Sequence, residues 1–63
     1  MDQFASSNTM LARRLQQARL AKGYSLEDLA IATGLTIDEI AAAEEPGNKV
    51  PQHHVDRIDH ALG

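Results

Sequence analysis

The sequence predicts an all-α protein, a single small domain of four helices. Three observations carry that expectation. Apolar residues recur at spacings of three and four, and no stretch shows the strict alternation of a strand. Two capping-box signatures, Ser25 with Asp28 and Thr36 with Glu39, each stand directly ahead of such an apolar-periodic stretch. Gly23 and Gly34 fall where the preceding helices should end. Sixty-three residues are close to the lower size at which one core holds a fold, and association with a second copy would bury more apolar surface.

Residues 1–7 (MDQFASS) lack periodicity and are expected to form a flexible N-terminal arm, with Phe4 its only aromatic. Ser7, Asn8 and Thr9 are all good N-caps, so a first helix is expected to open there and run to about Lys22, closed by Gly23 at C′. Leu11, Leu15 and Ala18 lie on one stripe of that helix, joined by the stem of Lys22. Arg19 sits beside the stripe, an unusual position for a charge.

A second helix is expected to begin at Ser25 and to turn Leu29 and Ala30 inward, leaving Leu26 and Ile31 to face elsewhere. In the link Thr33-Gly34-Leu35, Gly34 supplies the backbone freedom of a sharp turn and Leu35 drops into the core. A third helix from Thr36 places Ile40 and Ala43 on its inner face. Ile37 and Ala41, an i,i+4 pair, then point away. Glu45-Pro46-Gly47-Asn48 is a stop and a loop. Pro51 fits the first turn (N1) of a last helix, whose buried edge is Val55, Ile58 and Leu62. The domain is thus expected to span residues 8–63, with its central motif at 25–45.

Composition narrows the function. There is no cysteine, so neither a disulfide nor a thiolate metal site is available, which suits a reducing, cytoplasmic setting. No apolar run approaches the ~20 residues that span a bilayer, so no membrane partner is expected. An enzyme is not expected either: no nucleophile motif, phosphate loop or cofactor fingerprint occurs, and no cofactor, metal or small-molecule substrate is implied. His53, His54 and His60 with Asp56 and Asp59 form the one cluster with ligand chemistry. Two groups from one exposed helix, such as Asp56 and His60, do not make a metal site. Glu44 and Glu45 point about 100° apart on a helix and are not a catalytic carboxylate pair.

The formal charge is −3, but its distribution says more than its sum. Residues 10–24 hold Arg13, Arg14, Arg19 and Lys22 and no acid. Residues 25–45 hold Glu27, Asp28, Asp38, Glu39, Glu44 and Glu45 and no base.

Helix, glycine turn and helix within residues 25–45 form the helix-turn-helix pattern, whose second helix commonly enters the major groove of DNA. Over residues 11–63 the chain resembles the lambda-repressor-like (Cro/XRE-type) helix-turn-helix family. The residues that carry the resemblance are Leu15, Arg19 and Gly23, then Ser25, Leu29, Ala30 and Gly34. They continue with Thr36, Ile40 and Glu44, and end with Pro51, Ile58, Ala61, Leu62 and Gly63. The resemblance implies a structural ion pair between Arg19 and Glu44. It also implies a DNA- or partner-contacting face made by Leu26, Thr36, Ile37, Asp38, Ala41 and Ala42. Those positions depart from the polar and basic residues common in the family. Phosphate contacts would have to come from the helix N-terminus at Ser25 and from Arg13, Arg14, Lys22 and Lys49, with Arg57 a further flanking base.

Two readings stay open at this point. The first is a small DNA-binding transcriptional regulator, a repressor-like homodimer on double-stranded operator DNA. The second is an acidic, antiactivator-like module that binds a regulatory protein instead, using Leu26, Ile37 and Ala41 as an apolar patch rimmed by carboxylates.

Overall fold

The computed structural model describes the backbone of residues 3–63 and the side chains from Met10 onward. Four helices follow one another: α1 (Gln3–Ala21), α2 (Leu26–Thr33), α3 (Ile37–Ala43) and α4 (Gln52–Leu62). There is no strand among the described residues, and the all-α, four-helix expectation holds.

The first helix starts earlier than its cap residues imply. Met1 and Asp2 of the expected arm lie outside the described residues, as does the side chain of Phe4. From Gln3 the chain is already helical, ahead of Ser7, Asn8 and Thr9. Ser, Asn and Thr favour caps but cost only about 0.5–0.7 kcal/mol each inside a helix. With neither Gly nor Pro to break it, α1 continues back through them. At its other end α1 closes as expected. Gly23 takes φ 75° and donates its N–H to Leu20 O, while Tyr24 N–H donates to Arg19 O. These two bonds are the Schellman pattern.

Both capping boxes form. Ser25 Oγ accepts from Asp28 N–H and Asp28 Oδ2 accepts from Ser25 N–H, each at 3.0 Å. Thr36 Oγ1 accepts from Glu39 N–H at 3.1 Å, and Glu39 Oε1 accepts from Thr36 N–H at 2.9 Å. Pro51 sits at the N-cap of α4 rather than at N1, with ψ 139°. Pro51 O accepts the first intrahelical bonds of α4, from the N–H groups of His54 and Val55.

The turn between α2 and α3 is tied on every side. Gly34 adopts φ 78° and donates its N–H to Ala30 O. The Thr33 hydroxyl donates to Leu29 O at 2.7 Å and accepts from Leu35 N–H at 3.2 Å. From α4, Arg57 Nη1 donates to Thr33 O at 3.3 Å, a cation at the negative end of α2. The turn therefore holds α3 at one angle to α2.

Leu15, Leu29, Leu35, Ile40, Ala43, Val55, Ile58 and Leu62 make the core. Leu29, Ile40 and Ile58 are fully buried, each contributing about 1.5–3 kcal/mol through burial alone. Ala12 is buried as well, a small residue through which α1 approaches the body. Leu26, expected to face away, instead packs half-buried against this core along with Ala30.

Candidate functional site

Arg19 is the centre of the molecule's polar structure. Its Nε donates to Glu44 Oε2 at 2.7 Å and its Nη2 to Glu44 Oε1 at 3.0 Å, a two-pronged pair. Its Nη1 donates to Tyr24 O at 2.9 Å. One guanidinium thus joins α1, the α1–α2 link and the end of α3. Both side chains are nearly out of solvent, with 10% and 6% of their surface exposed. The hydrogen bonds Arg19 donates to the Glu44 carboxylate raise its pKa above the ordinary arginine value; desolvation opposes this, and the nearby charge of Glu44 adds to it. Glu44 is the C-cap of α3, where the helix dipole disfavours a carboxylate, and the guanidinium offsets that cost.

With its C-terminal end held by this pair and its N-terminal end by the Thr36–Glu39 box, α3 presents a fixed outer face. Ile40 and Ala43 turn inward, while Ile37, Asp38 and Ala41 are exposed, with Thr36 exposed at the N-cap. Ile37 leaves 42% of its surface in water. Ala42 is half-buried at the edge of this face, and its carbonyl accepts from Asn48 Nδ2 at 3.0 Å. Leu26, packed on the core, contributes less to the face than the sequence implied.

The electrostatics of the face are negative. Glu27 and Asp28 lie in the first turn of α2, Asp38 and Glu39 in that of α3, and Glu45 is exposed just past α3. At Ser25 the backbone N–H is already bonded to Asp28, so an incoming phosphate meets a carboxylate before it meets the helix dipole. Of the flanking bases, Arg13, Arg14, Lys22 and Lys49 are exposed, and none forms an ion pair with another described residue. Arg57 is engaged at the end of α2.

His54 Nε2 from α4 stands 3.7 Å from Glu39 Oε2. The N–H of Thr36 holds the Glu39 carboxyl below its ordinary 4.5; desolvation opposes this, and the histidines nearby reinforce it. A depressed carboxyl contributes stability that is complete above its unfolded value and is lost as pH falls through the folded one. Thermal melts across pH 6 to 3 are expected to show a shallower acid limb for Glu39→Gln than for the parent. Equal limbs would mean that this cap does not contribute.

For three of these residues the sequence does not show the role that the structure gives them. Thr33 and Arg57 act through contacts set by tertiary packing, and Asn48 was read only as part of a loop. A Thr just ahead of a turn glycine was the one local signal available. Fold and site together define a small all-α domain built around a helix, a glycine turn and a second, outward-facing helix. No family model matches the chain, and neither a curated protein nor a solved structure matches it. Among the described residues, no helix is long and apolar enough to cross a membrane.

Proposed function

We propose that the protein is a small DNA-binding transcriptional regulator that reads an operator through α3, as a dimer on two related half-sites. The observation that supports this most directly is the outer face of α3, fixed at both ends and exposing Ile37, Asp38 and Ala41. Thr36, Ile37 and Ala41 bring methyl groups suited to thymine, and Asp38 is an acceptor suited to cytosine N4. Lys22 and Lys49, exposed and flanking the α2–α3 unit in the chain, are the proposed phosphate contacts. Arg13 lies about 13 Å further along α1 from Lys22.

A second reading is favoured by one specific observation: between residues 25 and 45 there are six acids and no base. On that reading Ile37 and Ala41 meet an apolar groove on a regulatory protein, and the surrounding carboxylates meet its basic rim.

Fluorescence anisotropy with duplex DNA across a salt series tests the first reading. Two phosphate contacts per protomer give a slope of log K against log salt of about −2, doubled for a dimer. Absence of binding at low salt overturns it. Asp38→Lys separates the two readings by sign. On DNA it should strengthen non-specific binding and steepen the slope by about 1. Against a basic protein surface it should weaken binding.

A further inference from the structure

Two helix faces lie outside the core and outside α3, and they are opposite in character. On α1 the buried residues are Ala12, Leu15 and Arg19, so Met10, Arg13, Gln17 and Leu20 lie on the far side, flanked by Arg14. Met10 and Leu20 are 70% and 59% exposed. On α2 the buried residues are Leu29 and Thr33, so Glu27 and Ile31 lie on the far side, flanked by Asp28. Ile31 is 84% exposed, more than any other large apolar side chain described.

A single exposed aliphatic needs no explanation. Here each sits within charge of one sign, and the two signs are segregated to different helices. Neither Arg13, Arg14 nor Glu27 finds an ion-pair partner among the described residues. We propose that these two faces are one self-association surface, the basic outer face of α1 in one copy receiving the acidic outer face of α2 in another. The dimensions agree: Met10 and Leu20 are about 15 Å apart along α1, and the eight residues of α2 extend about 12 Å. Ile31 then inserts between Met10 and Leu20, while Glu27 and Asp28 meet Arg13 and Arg14. In the proposed two-fold arrangement, α1 and α2 of one copy meet α2 and α1 of the other, so the contact is made twice and closes. The contact uses neither Ile37 nor Asp38, and it stands whichever partner α3 binds.

Analytical ultracentrifugation of the whole chain tests this. At about 20 mM salt a concentration-dependent dimer is expected, weakening at about 500 mM as exposed charges are screened. Ile31→Lys should raise the dimer dissociation constant about tenfold or more. Arg13→Glu/Arg14→Glu and Glu27→Arg should each be monomeric while keeping the helical circular dichroism of the parent. Mixed one to one, those two variants present complementary faces again and should form a heterodimer, which a folding defect in either could not produce. A monomeric parent at about 1 mM and low salt, variants that still self-associate, or a mixture that stays monomeric would each overturn the proposal.

Discussion

Glu44→Ala is expected to destabilise the protein by about 3–5 kcal/mol, the largest effect of any single substitution considered. The cost comes from what remains. Arg19 keeps its charge, because a guanidinium stays protonated at any pH at which the protein folds. A buried guanidinium facing only Tyr24 O has lost two of its three acceptors. In a chain of 63 residues, each kcal/mol lowers the melting temperature by about 4–8 °C. The shift should therefore exceed about 12 °C in a thermal melt followed by circular dichroism. Arg19→Met combined with Glu44→Leu removes both charges and should recover part of the loss, since two apolar groups leave no stranded charge. A melting temperature unchanged in Glu44→Ala would mean that water solvates Arg19 as well as the carboxylate does.

What was legible in the sequence was local. Each capping box lies within four residues, and the glycines at 23 and 34 announce left-handed turns by their type alone. Both kinds of signal placed the starts of α2 and α3 and the end of α1 to within a residue. The start of α1 was misplaced because three consecutive cap formers offer a boundary without imposing one. Arg57 on Thr33 O joins residues 24 apart, and no spacing rule reaches across that separation. Leu26 was read as outward because the α2 stripe through Leu29 and Ala30 was drawn too narrowly. Leu26 lies one turn before both and shares their edge of the core. The Arg19–Glu44 pair, 25 residues apart, was anticipated through a family pattern rather than by local physics.

The charges have a related logic. Arg19 and Glu44 remove one base and one acid from the surface, which leaves α1 basic outside and the α2–α3 unit acidic outside. On the two proposals above, α1 and the outer side of α2 meet a second copy, while α3 meets DNA or a regulatory protein.

The outer side of α3 has one position at which a substitution should cost function and little else. Ile37→Glu is expected to leave the melting temperature within about 3 °C of the parent. The side chain is already 42% exposed, and an acid at the first position of a helix is favoured by the dipole. Binding should fall about 100-fold or more. On DNA, the substitution exchanges an apolar contact with a thymine methyl for a carboxylate beside Asp38, close to phosphates that repel both. On a protein partner, it buries a charge where an aliphatic anchor had been, with no base on α3 to pair with it. Anisotropy against the operator, or calorimetry against the partner, reads the loss directly, and Ile37→Val should retain most of the affinity. If Ile37→Glu binds as the parent does, α3 is not the contacting element, and the capped, doubly anchored helix serves only the fold.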